Sequence, residues 1–219
     1  MKRFFIYIIG ILLVQSVTAQ TTYLRADSVK ICQLLAQSNR ETTTLWLARQ
    51  FLGVPYVAHT LEVNDDERLV VNTRQLDCTT LVETVTALKL CTQLGKKKWS
   101  DYLNTLCQLR YRQGRLNGYP SRLHYFSDWI RDKVKMQLVT DIQQPNPPFT
   151  AVQTVSVNYM STHPDAYKAL KANPTMVPEI RAQEQSLTGL KVRYIPKRQL
   201  RNSASLRKVV KDGDILAIR

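Results

Sequence analysis

The run Leu76-Asp77-Cys78-Thr79-Thr80-Leu81-Val82-Glu83-Thr84-Val85 places a cysteine where an extended stretch turns into an amphipathic helix. Before it, Leu69, Val70 and Val71 form a short apolar run of the kind strands use. After it, Leu81, Val85 and Leu88 recur at helical spacing, with no Gly or Pro until Gly95. Asp77 is a good helix-capping residue type, so Cys78 falls in the first turn. There the unpaired backbone N–H groups and the positive end of the helix dipole favour an anion, which suits a nucleophilic thiolate. The same N–H groups can receive the oxyanion that forms when sulfur attacks a carbonyl. A cysteine on a helix is as readily a packing residue or half of a disulfide, so its neighbours decide.

The first nineteen residues bear on the compartment. Lys2 and Arg3 form a basic start, Phe4 to Val14 is nearly all apolar, and Val17-Thr18-Ala19 supplies small residues at a cleavage site before Gln20. This is the pattern of a secretory signal peptide; the apolar run is too short to span a bilayer. No cysteine follows the cleavage point until Cys32, so a lipid anchor on the new N-terminus is not expected. The expectation is an exported protein without a stable membrane anchor, periplasmic in a Gram-negative source. Its domains are a signal peptide at 1–19 and a single domain over 20–219.

Export changes what four cysteines mean, because an oxidising compartment allows two disulfides in three pairings. A mature chain of about 200 residues can nonetheless bury a core without staples. Cys32, Cys91 and Cys107 lie on apolar helix faces and read as small buried hydrophobes. Only Cys78 combines a helix start with polar neighbours. No CxxC or His/Cys cluster suggests a metal, and no cofactor motif is present. The chain carries a formal charge of +14, and +12 without the signal, which holds two basic residues and no acid. Inside a cell that excess would point to nucleic acid. Outside it, the natural anions belong to the cell envelope, so no nucleic-acid partner is expected. The clusters at Lys96-Lys97-Lys98, Arg110 to Arg115, Lys133 to Lys135 and Lys191 to Lys211 read as solvated surface.

Helical periodicity covers Ala26 to Ala36, Glu41 to Leu52, Leu81 to Leu94, Trp99 to Leu109, His124 to Arg131, Asp165 to Lys171 and Val177 to Leu187. Tyr111 to Pro120, with Gly114 and Gly118, reads as a loop, and the three prolines of Gln143 to Pro148 mark a turn. Val155, Val157 and Tyr159 alternate with Ser156 and Asn158, a strand pattern. Val192 to Ile195 is a second short strand. Ile215 to Ile218 begins another after the turn at Lys211-Asp212-Gly213-Asp214. Helices first and strands later predict an α+β domain.

Several words in this order carry a resemblance. They are Pro55-Tyr56, Thr60-Leu61-Glu62, Asp77-Cys78-Thr79-Thr80, Arg122-Leu123-His124-Tyr125-Phe126-Ser127-Asp128-Trp129-Ile130, Asn158-Tyr159-Met160-Ser161-Thr162-His163-Pro164, Tyr194-Ile195-Pro196-Lys197 and Asp212-Gly213-Asp214-Ile215-Leu216. Together they resemble the N-acetylmuramoyl-L-alanine amidase-like family, within the NlpC-type branch of the papain-like cysteine peptidases. The resemblance implies N-terminal helices, the nucleophile helix among them, packed on an antiparallel sheet. It implies a cysteine hydrolase, with Cys78 as nucleophile, cutting the amide between N-acetylmuramic acid and L-alanine in peptidoglycan or muropeptides. Tyr56 matches the Pro-Tyr tyrosine near the nucleophile. Asp77 is placed to meet a peptide ammonium as well as to cap the helix. His124, Ser127 and Asp128 become candidate lining residues, with Asp128 one turn from His124 and able to orient it. Phe126 and Trp129 read as core.

The resemblance also implies something missing. In NlpC-type enzymes the base histidine and its partner follow a Gly-Asp-hydrophobic strand, which Gly213-Asp214-Ile215-Leu216 matches, and the sequence stops at Arg219. The expectation is therefore a chain truncated at its C-terminus, its sheet incomplete and its activity impaired, unless His124 has been recruited as base. A stem-peptide endopeptidase and a non-catalytic peptidoglycan-binding remnant stand as alternatives. A zinc amidase is disfavoured, because His59, His124 and His163 lack a spaced acidic partner.

Overall fold

The computed structural model describes residues 21–143, 145, 147–201 and 203–218. The signal-peptide reading of 1–19 lies outside them. The chain is mixed α and β. Its first half runs β1 (Thr21–Thr22), α1 (Arg25–Gln37), α2 (Thr44–Arg49), β2 (Leu69–Val70), α3 (Cys78–Gln93), α4 (Trp99–Arg110) and α5 (Phe126–Lys135). Then follow β3 (Ala151–Thr154), α6 (Tyr159–Thr162), α7 (Lys168–Ala172), α8 (Val177–Leu187), β4 (Lys191–Tyr194) and α9 (Ser203–Val209).

Helix α3 lies in the middle of the main core, packed chiefly on α4, α2 and α1. Its apolar face, Val85, Ala87, Leu88 and Cys91, meets Tyr102, Leu103 and Leu106 of α4, Leu47 of α2, and Ile31 and Leu35 of α1. A second, smaller core of Tyr119, Met160, Leu170 and Ile180 joins the later helices to the segment ahead of α5. Two short sheets frame these cores. Strands β1 and β2 pair in parallel, Thr21 with Leu69 and Thr22 with Val70. Strands β3 and β4 pair antiparallel, from Ala151 opposite Tyr194 to Thr154 opposite Lys191. Among the described residues, no helix is long and apolar enough to cross a membrane.

Two buried charged groups bind these layers. Arg110, at the end of α4, donates from Nε to Glu83 Oε2 of α3 at 2.7 Å and from Nη1 to the Val70 carbonyl at 2.5 Å. Both side chains of the pair are 3% exposed. Asp27, in the first turn of α1, is fully buried. Its Oδ1 accepts the Thr73 N–H at 2.8 Å, the Thr73 hydroxyl at 2.9 Å and Arg74 Nε at 3.3 Å, and its Oδ2 accepts the Leu24 N–H at 2.9 Å. Asp27 thus clamps the segment that leads into α3.

Two lysines that read as solvated charge close helix ends instead. Lys133 Nζ is buried and donates to the carbonyls of Gln108 at 2.5 Å and Tyr111 at 2.8 Å, with Asp132 Oδ2 at 2.7 Å as counter-ion. Lys97 Nζ donates to the carbonyls of Leu35 and Ser38 at the end of α1. A cation at a helix C-terminus answers unpaired carbonyls and the negative end of the dipole.

The structure corrects the strand expectations. The extended run falls at Ala151–Thr154, and Tyr159 opens a helix rather than ending a strand. The reason is distant in sequence: Glu184 Oε1 accepts the Met160 N–H at 2.9 Å and the Ser161 N–H at 3.3 Å, which holds the first turn of α6. Residues 215–218 form no strand among the described residues. The turn before them forms, with Asp214 N–H donating to the Lys211 carbonyl at 3.1 Å, but Ile215 packs against the main core instead of pairing with a neighbour.

Two outcomes are expected. Truncating Glu83 to alanine strands the Arg110 charge and should lower unfolding free energy by about 3–5 kcal/mol, read from urea denaturation. Asp27 sets an acid limit. Burial alone would raise its carboxyl, but the hydrogen bonds from Thr73, Leu24 and Arg74 outweigh it and hold it below the ordinary carboxylate value. The unfolded chain therefore takes up this proton first as pH drops. The stabilisation is complete above the unfolded value of about 3.9 and is lost as pH falls through the folded one. Replacing Asp27 by Asn should cost about 1–3 kcal/mol at neutral pH and flatten the fall in melting temperature below about pH 4.

Candidate active site

Helix α3 begins at Cys78, and the residue before it fixes that start. Asp77 Oδ1 accepts the Thr80 N–H at 2.7 Å, and the Thr80 hydroxyl accepts the Asp77 N–H at 2.9 Å. This is a reciprocal capping box with threonine at the third position in place of the usual Glu or Gln. The Cys78 thiol is free and exposed at the helix end.

A second segment is laid beside it. Gly53, at φ +82°, turns the chain after α2, and Pro55 prevents the helix from continuing. Leu76 N–H then donates to the Pro55 carbonyl at 3.1 Å, and Val57 N–H to the Leu76 carbonyl at 3.0 Å. This parallel bridge between Tyr56 and Leu76 brings the tyrosine over the helix start. Its hydroxyl donates to Cys78 Sγ at 4.0 Å, a long contact suited to sulfur. That hydrogen bond first, and then the electrostatic influence of Cys78, raise the phenol above its ordinary value, with Asp77 adding to the effect. Tyr56 therefore remains a proton donor through the neutral range.

A cleft of about 170 Å³ opens at the same helix end. Asp77, Thr79 and Thr80 form one wall, His59 to Glu62 the second, and Arg122, Leu123 and His124 the third, with the Glu83–Arg110 pair also lining it. Arg122 is ion-paired with Glu62 and lies 3.8 Å from Glu67 Oε1, which also accepts the Tyr111 hydroxyl at 2.8 Å. The Thr60 hydroxyl is buried at this cleft with no partner among the described residues, and is free to meet a bound group.

His124 stands on the cleft wall, its ring tilted against Tyr119 with centroids 4.4 Å apart. Its Nε2–H donates to the Tyr119 carbonyl at 3.1 Å. Burial, with the Arg122 guanidinium adding to it, pushes the imidazole down to about 3, so the ring is neutral near pH 7 and weakly basic. Asp128 does not orient it. That carboxylate is buried and is taken by Arg112 Nη2 at 2.8 Å and Arg131 Nη2 at 3.0 Å. Neither Asp128 nor Ser127 lines the cleft. Phe126 and Trp129 stack with centroids 5.6 Å apart on the main core, as their apolar character predicts.

The structure thus brings Tyr56, Asp77 and Cys78 together, sets His124 on the adjoining wall, and leaves Ser127 and Asp128 elsewhere. Sequence reasoning missed Arg110, whose place in a basic run looked like surface charge, and the wall role of Thr60 and Arg122, which lay inside quoted motifs without an assignment. Cys91 and Cys107 are buried, and burial pushes both thiols up. Cys32 is half-buried, and none of the four cysteines is in a disulfide. Among the described residues, no group of His, Cys, Asp and Glu could hold a metal ion.

Solved structures with similar folds include a candidate xylanase from Bacteroides fragilis, at 42% identity over 70% of this chain and 66% of that one, with TM-score 0.65. An N-acetylmuramoyl-L-alanine amidase from Bacteroides uniformis is 41% identical over 72% of this chain and 65% of its own, also at TM-score 0.65. The chain spans just under two thirds of the length of both. A Legionella pneumophila protein at 21% identity and TM-score 0.59, covering 86% of this chain and 70% of that one, shares the fold alone. No curated protein matches the chain. Residues 46–219 match the profile of the N-acetylmuramoyl-L-alanine amidase-like family, and the chain belongs to that family.

Proposed function

We propose that Cys78 is the nucleophile of an exported, periplasmic hydrolase that cuts the amide between N-acetylmuramic acid and L-alanine in peptidoglycan or muropeptides. The supporting observation is the placement of Cys78 Sγ: first residue of α3, exposed beside the cleft that its neighbours Asp77 and Thr79 line, with the Tyr56 hydroxyl pointing at it. We place it within the NlpC-type papain-like group, as one domain over 20–219.

In this reading Sγ attacks the lactyl carbonyl and the carbonyl oxygen becomes an oxyanion. The capping box uses the Thr80 N–H and takes neither the Cys78 nor the Thr79 N–H. The Cys78 N–H and the Tyr56 hydroxyl, kept protonated by its raised value, supply donors where negative charge develops. Asp77 spends Oδ1 on the cap and keeps Oδ2 for a substrate ammonium. Water then releases the thioester.

The leaving amine needs a proton donor. Among the described residues no histidine hydrogen-bonds Cys78, and an imidazole held near 3 gives and takes protons poorly at neutral pH. We therefore infer slow turnover by these 219 residues. The same observation favours a second reading, a wall-binding protein that keeps the cleft without the chemistry. A glycosidase fits less well, since it needs two carboxyl groups across a bond, one of them protonated. Glu62 and Glu83 are each engaged by an arginine, an arrangement suited to charged pairs.

Iodoacetamide should modify Cys78 well before Cys32, Cys91 and Cys107, read by peptide mass mapping over time; faster modification of another thiol would remove the nucleophile assignment. On N-acetylmuramoyl-L-alanyl-D-isoglutamine, any amine release should survive a chelator and vanish in Cys78→Ala. Cleavage within the peptide instead would make the protein an endopeptidase, and none at all would favour the binding reading. Tyr56→Phe should lower whatever turnover is measured by about 10²-fold, the usual loss of one oxyanion donor.

A further inference from the structure

Outside the cleft, helix α6 and the turn after it carry an aromatic cluster that the hydrolytic chemistry does not use. Tyr159 and His163 stack with ring centroids 4.3 Å apart and planes 17° from parallel. Tyr167 meets Tyr159 edge-on at 6.4 Å. The cluster is fixed rather than mobile at its surface: His163 Nδ1 lies 2.9 Å from the Thr162 hydroxyl and 3.2 Å from the Tyr159 carbonyl, which holds the imidazole in its stacked position. Tyr159 is nevertheless 54% exposed, and His163 is exposed beside it. A lone exposed tyrosine needs no explanation, but a half-exposed tyrosine held in a stack is a preformed aromatic surface.

Polar groups border it. Asn158 is exposed and its side chain makes no cap hydrogen bond to α6, and the Asp165 side chain stands exposed on the next turn. Two contacts tie the platform's scaffold to segments that continue from the cleft walls. The Met160 N–H donates to the Tyr125 hydroxyl at 3.2 Å, and Tyr125 is the residue after His124. On the other side, Lys168 Nζ pairs with Asp65 Oδ1 at 2.9 Å, in the loop that continues from the His59-to-Glu62 wall.

We propose that the Tyr159–His163 platform is a carbohydrate subsite that holds an N-acetylhexosamine ring of the glycan strand. It rests on the amidase reading for the choice of sugar. The chemistry is complementary: axial C–H groups of a pyranose carry partial positive charge and lie against the negative face of an aromatic ring. The carboxamide of Asn158 and the carboxylate of Asp165 are suited to the ring hydroxyls and the acetamido N–H. A rigid tyrosine gives this contact at a small entropic cost.

The test is binding, which needs no turnover. The peptide-free disaccharide N-acetylglucosaminyl-N-acetylmuramic acid is titrated into the 20–219 protein, followed by isothermal calorimetry and by NMR shifts of the tyrosine ring protons. The disaccharide should bind and shift Tyr159. Tyr159→Leu should weaken it by at least about fivefold, as loss of an aromatic contact does, while Tyr159→Phe keeps the affinity. Both variants should show unchanged melting temperature and unchanged Cys78 alkylation rate. Equal affinity in Tyr159→Leu, shifts confined to other residues, or preference for xylotriose over the N-acetylated disaccharide would each overturn the subsite. Failure of the amidase reading looks different: the disaccharide still binds at Tyr159, while Cys78 modification leaves muropeptide cleavage untouched.

Discussion

The ion pair between Arg110 and Glu83, with the Arg110 bond to the Val70 carbonyl, is the constraint on which the site depends. It joins the last residue of α4, the second turn of α3 and the end of β2 in one desolvated contact. A charge pair in such a place does not stabilise by itself, because two ions have been taken out of water. It does make alternatives costly. Any sliding of α3 against α4 would separate the charges or bare the Val70 carbonyl. The start of α3, one and a half turns from Glu83, inherits that fixity, and so does the wall of the cleft that the pair lines.

A second polar layer then connects the cleft to the rest. Arg122 answers Glu62 and Glu67 together, and its guanidinium sits over the Tyr119 ring at 4.8 Å. Tyr119 in turn belongs to the smaller core and accepts from His124 through its carbonyl. The electrostatics that hold this wall in place are the same that keep His124 neutral: a guanidinium nearby and little water. A wall built on buried arginines supports geometry at the expense of basicity.

What the sequence showed depended on how far apart the deciding residues are. The start of α3 was legible because its cause, Asp77 with Thr80, is three residues wide. Val177–Leu187 likewise formed as its periodicity predicts. Helix α2 was overextended at both ends, since Thr43, whose hydroxyl accepts the Trp46 N–H at 3.1 Å, outcompetes Glu41 as the starting point. The strand expected through Tyr159 failed because a carboxylate at Glu184 nucleates a helix there, a contact no local window contains. Asp128 was read as a partner for His124 on spacing alone. Arg112, from another element, had the stronger claim on it. The lysines at 97 and 133 were counted as surface because nothing in sequence reveals which carbonyls they meet.

The reciprocal bond between Asp77 and Thr80 has a further meaning for how such a site tolerates change. Successive side chains on an α-helix point about 100° apart around its axis. A helix beginning one residue earlier or later would keep its length and most of its packing, yet would turn the sulfur to another side of the helix and carry it away from Tyr56. The two short side chains therefore act as an angular index. They set the direction in which a residue faces, and drift at the edge of this helix is constrained by orientation before it is constrained by stability.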